Sequence, residues 1–252
     1  MRAITEAVGY LRRAVDLARG RELRPWVIIP LVFNVLLLGT LYYLSVQWIT
    51  GWIEAATAGW EAGWDWLNTV IEALVAAAQL LVWVLLLAVF ASVFTMAVQL
   101  IAAPFMGFLA EKVDIQLTGI PMPDESLPAM TVRMFRREAR KTWYWLWRAL
   151  LLLIAVGILS LIPLINVLAP VIWFAWSGWM MAMQYLDFSA DNRQVSFPDM
   201  LAQMQRRRWL VLAFGCVVLG LTMLPLVNLV IMPIAVIAGT LIRTEQLALP
   251  AR

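Results

Sequence analysis

Two places in the chain combine residue types that bind oxyanions. One is Arg24, immediately ahead of a charge-free stretch that begins Pro25-Trp26-Val27; the other is Pro104-Phe105-Met106-Gly107, which continues into Phe108, Leu109, Ala110 and Glu111. A proline at a first helical position leaves the next backbone N–H groups without intrahelical acceptors. Glycine permits close approach, and an arginine adds charge-assisted hydrogen bonds. Arg24 and the expected helix break at Pro104 fall at the same membrane face, hence at similar depth. The competing account is a basic anchor beside an ordinary kink. Glu111 repels an anion, so it must pair with Arg24 or Lys112 or face away. A second set of groups is neutral: Asn34, Asn166 and Asn228, in Pro30-Leu31-Val32-Phe33-Asn34, Pro163-Leu164-Ile165-Asn166 and Pro225-Leu226-Val227-Asn228. They are candidate pathway amides or caps of the turns that hold them.

Other chemistry is excluded by what the chain lacks. It has no His, which removes imidazole bases, Ser-His-Asp and Cys-His nucleophiles and His-ligated metals. The single cysteine, Cys216, lies between Gly215 and Val217 in an apolar run and reads as a small packing residue. No Gly-rich phosphate loop is present. The chain is not expected to be an enzyme, and no cofactor or metal is expected.

The elements that must position these groups follow from the charge distribution. Of 252 residues 63% are hydrophobic and 14% charged; a soluble domain carries about 25% charged residues, so the fold class is an all-α integral membrane protein. Four runs carry no charge: 25–53, 73–110, 149–186 and 209–242. The first predicts a full span over 25–47, since about 21 residues make ~32 Å of helix against a ~30 Å hydrocarbon core. Residues 1–24, with Ile4, Val8, Leu11 and Val15 at helical spacing among arginines, predict an interfacial amphipathic helix. Residues 48–72 hold Glu54, Glu61, Asp65 and Glu72 without a basic residue, and Trp48, Trp52, Trp60 and Trp64 predict that this connection lies flat at the outer interface. A long second span, 73–118, is expected to break near Pro104.

Runs three and four each contain two prolines, Pro163 with Pro170 and Pro225 with Pro233. Two arms of about 15 residues reach only ~23 Å each, and the turns between them carry no charge. The expectation is two re-entrant hairpins, 149–186 and 209–242, with second arms starting near Pro170 and Pro233; such tips need protein or a wet cavity around them. The recurrence of Pro-Leu-x-Asn at an offset of 62 residues marks them as an internal repeat. The segments 119–148 and 187–208 and the tail 243–252 complete a single membrane domain.

All Lys and Arg lie outside the 48–72 connection, so the other connections and both termini are expected in the cytoplasm. The block from Arg133 to Arg148, with Trp143, Trp145 and Trp147, reads as an anchor on anionic headgroups, as do Arg206, Arg207 and Arg208. Nucleic acid is not an expected partner, because these patches adjoin membrane segments. No ionisable residue lies inside an apolar run, which argues against an ion-driven carrier of the usual kind. Unpartnered hairpin tips predict a homo-oligomer.

Several collinear segments resemble the CysZ family of bacterial inner-membrane sulfate permeases across nearly the whole chain. They are Ile29-Pro30-Leu31 with Asn34, Ile101-Ala102-Ala103-Pro104-Phe105 leading to Gly107 and Leu109-Ala110-Glu111, Leu117-Thr118-Gly119, Ala169-Pro170-Val171-Ile172-Trp173-Phe174, Trp179 through Asp191-Asn192, and Pro225 through Pro233. The resemblance implies sulfate uptake for cysteine biosynthesis, by two full transmembrane helices and two partly inserted hairpins. The family's Gly-Leu-Ala-Glu sulfate motif, with its arginine pair, maps onto Gly107, Leu109, Ala110, Glu111 and Arg24. Phe108 is an insertion in that motif, and Pro25 stands where the second arginine would be. The rival to a channel-like or facilitated permease is a non-transporting membrane scaffold.

Overall fold

The computed structural model describes residues 2–60, 64–161 and 166–248. Among these residues the chain forms only helices: α1 (Arg2–Ala18), α2 (Arg24–Thr57), α3 (Asp65–Thr118), α4 (Leu127–Leu159), α5 (Ala169–Asn192), α6 (Phe197–Arg206), α7 (Arg208–Thr222), α8 (Pro225–Ile242) and a π-helical turn at Arg243–Leu247. Two compact units result, Ile28–Pro104 and the remainder of the chain on either side of it.

In the larger unit α8 is the central helix. Ile231, Ala235, Val236, Ile237, Ala238, Thr240, Leu241 and Ile242 are buried on every side of it, the pattern of a helix enclosed by others. It packs on α1, α5 and α7. Helix α1 buries Ala7, Tyr10, Leu11 and Ala14 against α7 and α8, while Ile4 is exposed. Part of its apolar face is therefore covered by protein. Of the expected stripe Leu11 is buried, Val8 and Val15 are half-buried and Ile4 is exposed, and small Ala7 and Ala14 complete the packed face.

Helix α1 is also tied to the π-helical turn: Tyr10 Oη donates to Glu245 (3.3 Å), Gln246 Nε2 donates to Tyr10 Oη (2.9 Å), and Arg13 forms a forked pair with Glu245 (2.6 and 2.8 Å). Burial raises the Tyr10 pKa above its ordinary value. The Arg13–Glu245 pair is only partly shielded, at 52% and 32% side-chain exposure. Arg13→Ala is therefore expected to cost about 1 kcal/mol or less. The comparison is thermal unfolding of variant and parent in low and high salt, where the difference should vanish in high salt.

The connections between helices are set by local chemistry. Gly119 (φ +68°) ends α3 and donates to Ile115 O at 2.8 Å. At the end of α5, Val195 N bonds Ala190 O and Gln194 N bonds Asp191 O, a left-handed helix stop with Gln194 at φ 56° where glycine is usual. Ser196 then caps α6 by accepting from Asp199 N, with Pro198 in its first turn. Helix α6 buries Phe197, Met200 and Met204. The stretch 187–208 is thus packed structure rather than a bare connection.

The two expected hairpins are not alike. Helix α4 runs unbroken from Leu127 to Leu159, so residues 149–159 continue the basic helix instead of starting a new arm. Helix α5 starts at Ala169 with Pro170 in its first turn, as anticipated. In the last pair, α7 has 15 residues and α8 starts at Pro225, with Pro233 inside it. Pro225 is the helix starter because its missing N–H falls where none is needed. Pro233 gives up one ladder bond in a helix held by packing on every side. The sequence echo also diverges in backbone: Asn228 lies inside α8 with its N–H on Leu224 O (2.8 Å), whereas Asn166 precedes α5. Ile162–Ile165, including Pro163, lie outside the described residues.

In the unit Ile28–Pro104, α2 remains helical to Thr57 and α3 begins at Asp65, so the connection is shorter than 48–72. Glu54-Ala55-Ala56 favours helix, Thr57 Oγ1 bonds Ile53 O (2.9 Å), and Gly59 at φ +91° provides the stop. Trp48, Trp52, Trp60 and Trp64 are all exposed. Glu61 lies outside the described residues. Helix α3 continues through Pro104 and Gly107 to Thr118, correcting the expected break. In an apolar environment a helix that loses one bond at proline still satisfies more backbone than one that opens.

Among the described residues, three helices are long and apolar enough to cross a membrane: Asp65–Ala88, Pro128–Leu159 and Val230–Leu247; the apolar Arg208–Thr222 is shorter. None of the Asp65–Ala88 span is buried within the chain. With so much apolar helix surface left uncovered, the protein is a membrane protein.

Candidate functional site

The residues singled out for oxyanion binding converge at the start of α2. After α1, Gly20 N bonds Leu17 O and Arg24 N bonds Gly20 O, both at 3.0 Å, and the turn is pinned by buried Leu23 and Val27. Arg24 and Pro25 project outward as the first residues of α2. Trp26 then meets Phe108, with ring centroids 6.0 Å apart and planes at 44°. This contact places the Arg24 turn beside the Gly107–Glu111 segment.

That segment divides by helical geometry. Met106, Leu109, Ala110, Val113 and Asp114 recur at helical spacing and are buried. Gly107, Phe108 and Glu111 lie off that face, Phe108 exposed and the other two partly so. Leu109 and Ala110 hold α3 in place; Gly107, Phe108 and Glu111 remain open to a ligand. Asn192, at the end of α5, donates Nδ2–H to Gly107 O at 2.8 Å. Neither Arg24 nor Glu111 has an ion-pair partner among the described residues.

Because α3 is continuous, the N–H groups of Phe105, Met106 and Gly107 lie within its hydrogen-bonded ladder and not at a helix start. The helix N-terminus at this site belongs to α2. Pro25 contributes no N–H, and Arg24 is the first residue of α2, at the positive end of its dipole.

Behind the site lies a buried ionic network that the charge blocks did not predict. Asp114, 1% exposed, accepts from Ser189 Oγ (2.8 Å) and from Arg193 (2.6 and 2.9 Å), with Arg243 Nη1 at 3.6 Å. Arg193 also donates to Thr118 Oγ1 and to the Ile120 and Pro121 carbonyls. On α4, Arg137 Nε meets Asp187 Oδ1 (2.6 Å), and Lys141 Nζ meets Asp187 Oδ2 (2.8 Å). Arg133 pairs with Glu125 (2.9 Å) and with Asp191.

Half of the basic block of α4 thus faces protein, not headgroups: Arg133, Arg137 and Lys141, four residues apart, form one inward stripe. The signal was available in the matching four-residue spacing of Asp187 and Asp191. It was missed because both charge groups flank apolar runs and read as membrane anchors. Arg207 likewise reaches Glu6 (3.3 Å) and Gln246 instead of lipid.

The neutral candidates are dispersed. Asn166 and Asn228 are exposed, with no hydrogen bond joining them, and Leu224 at the α8 start has no side-chain cap. The backbone of Asn34 lies in α2; its side chain is outside the described set. Cys216 is half-buried, against Gly178.

Known proteins resemble this chain over most of its length. The family model described as sulfate transporter CysZ/etoposide-induced protein 2.4 matches residues 10–233. The sulfate transporter CysZ of Pseudomonas syringae pv. tomato is 39% identical over 236 residues, covering 92% of this chain and 89% of that protein. Its namesake in Pseudomonas aeruginosa is 37% identical over 240 residues, 92% of each chain. That of Vibrio parahaemolyticus is 33% identical over 236 residues, covering 92% and 91%. These relatives are named as transporters and not as enzymes. On the extent of these matches, the chain belongs to the sulfate transporter CysZ/etoposide-induced protein 2.4 family.

Proposed function

We propose that the protein is a sulfate permease of the bacterial inner membrane, admitting sulfate to the cytoplasm for cysteine biosynthesis by facilitated, channel-like passage. The observation that carries this is the Trp26–Phe108 contact, which brings the first turn of α2, where Arg24 lies, against the part of α3 that holds Gly107 and Glu111. Sulfate is bound there by the Arg24 guanidinium at the positive end of α2, with Gly107 leaving room and Leu109 and Ala110 fixing the helix behind it. Glu111, without an ion-pair partner among the described residues, keeps the affinity low, which suits release to the cytoplasm. Asn34, Asn166 and Asn228 supply neutral hydrogen bonds along the way.

Helix α7, at 15 residues and about 22 Å, is shorter than the ~30 Å hydrocarbon core. It supports a partly inserted α7–α8 hairpin, with α4–α5 as its counterpart and α2 and α3 as the full spans. The large uncovered surfaces of α3 and α4 are consistent with homo-oligomers in which copies enclose the pathway. Cytoplasmic termini follow from the basic connections.

Purified protein in liposomes should pass radiolabelled sulfate without an imposed proton gradient. Arg24→Gln should weaken sulfate binding about tenfold or more, the scale of a lost hydrogen bond to a charged group. Unchanged affinity and flux in that variant would take Arg24 out of the mechanism. Sulfate flux no higher than in empty liposomes would favour a scaffold that does not transport.

A further inference from the structure

We infer that α4 carries a binding site for one anionic phospholipid, its phosphate held by Arg136 and Arg140 and an acyl chain laid along Trp143 and Trp147. The basic block of α4 splits into two stripes. Arg133, Arg137 and Lys141 turn inward and are neutralised by carboxylates. Arg136 and Arg140, one helical turn apart, are exposed and have no carboxylate partner among the described residues. They border two adjoining clefts of contrasting chemistry. The first, about 740 Å³, is lined by Arg136 and Arg140 with the neutralised Arg133 and Arg137, by Gln194 and Ser196, and by apolar side chains such as Val132. The second, about 640 Å³, is lined by Trp143, Tyr144, Trp147, Pro198 and Leu201, with Arg148 laid over the Tyr144 ring, and its exposed surface is almost wholly apolar. Arg136, Arg140 and Phe197 belong to both.

A cationic cleft that opens into an apolar one matches an amphiphile better than a free ion, because sulfate or phosphate leaves the apolar half filled only by water. The apolar floor is built and fixed. Tyr144 packs edge-on against Phe197 (5.7 Å), stacks with Trp176 (6.4 Å) and carries Arg148 over its face at 4.5 Å. Trp143 and Trp147 stand exposed above it. The order along the helix agrees with a lipid entering from the bilayer: guanidiniums at 136 and 140, indoles at 143 and 147, then the charge-free run from Ala149. Two guanidiniums recognise a phosphodiester through charge-assisted bonds, whereas a zwitterionic headgroup brings its own cation among them. The occupant is thus a phospholipid with net negative charge.

Native mass spectrometry of the full chain in detergent tests this with phosphatidylglycerol, phosphatidylcholine and sodium sulfate as separate probes. One phosphatidylglycerol per protomer should be retained, in preference to phosphatidylcholine. Arg136→Gln with Arg140→Gln should cut retention about tenfold, while Arg136→Lys with Arg140→Lys keeps part of it. Trp143→Ala with Trp147→Ala should weaken retention of the long-chain lipid but not of a short-chain phosphatidylglycerol. The substituted arginines are exposed and have no ion-pair partner among the described residues, so melting temperatures measured without lipid should match the parent. Equal retention of phosphatidylcholine, or full retention by the Gln variant, would overturn the proposal. Sulfate that binds through these arginines while no lipid is retained would replace it with a free-oxyanion site.

Discussion

Gly215→Ala is expected to destabilise the protein by about 3 kcal/mol or more, at the upper end of what overpacking costs. A Cβ at Gly215 on α7 would lie 1.7 Å from the carbonyl oxygen of Gly178 on α5, 2.6 Å from its carbon and 2.9 Å from Ala182 Cβ. The obstacle is backbone, so no rotamer change relieves it and the two helices must separate. Gly178 is equally constrained, since its Cβ would meet Cys216 Sγ at 2.5 Å and Cys216 N at 2.9 Å. Gly178 and Ala182 form the small-residue face that lets α5 and α7 touch, as apolar helices do in membranes.

Gly220, also on α7, has nothing within 4 Å of such a Cβ. Gly220→Ala should therefore be neutral or stabilising by up to about 1 kcal/mol, the ordinary helix preference. Thermal unfolding in detergent, followed by circular dichroism, separates the two: a Gly215→Ala protein that melts with the parent would show that α5 and α7 do not pack in this way. A functional loss should accompany the structural one, because α5 carries Asn192 to the Gly107 carbonyl.

Asp187→Ala should cost about 3–5 kcal/mol, the penalty for leaving buried cations without their carboxylate. Asp187 and Arg137 each have only 8% of the side chain exposed, and Lys141 17%. The deletion removes the closest buried carboxylate from both cations, leaving Arg137 only the more distant Asp191 (3.5 Å), and Arg137 also anchors the α5–α6 turn by donating to Val195 O at 2.5 Å. Replacing the pair together, with Arg137→Met and Asp187→Leu, should restore much of the stability, since Lys141 keeps Glu138 at 2.6 Å. A double-mutant cycle measured by unfolding reads the coupling directly. Additive losses would mean that Arg137 and Asp187 do not meet.

These two positions also show why part of the fold was legible in the chain and part was not. Helix content, the membrane environment and the chemistry of the site follow from composition and from where charge stops, because a bilayer excludes unpaired charge and unsatisfied backbone whatever the tertiary arrangement. Arg24 and the 107–111 segment could be paired by depth alone. The helix runs through Pro104 because one lost ladder bond costs less than opening a helix in an apolar medium, and Pro233 lies inside α8 because packing holds that helix. The basic block of α4 was legible as charge but not as two stripes: a cation's partner lies on another helix, 50 residues away in the case of Arg137 and Asp187.

By itself, then, the sequence determined the solvent, the helical class, the absence of imidazole chemistry and the candidate status of an arginine ahead of an apolar run. Only the tertiary structure decided which glycines touch, which arginines are neutralised and which stay free, and that the helix start facing the 107–111 segment is that of α2. The physical reason is range. Hydropathy and backbone satisfaction act residue by residue, whereas close packing and ion pairing exist only between surfaces brought together by the fold.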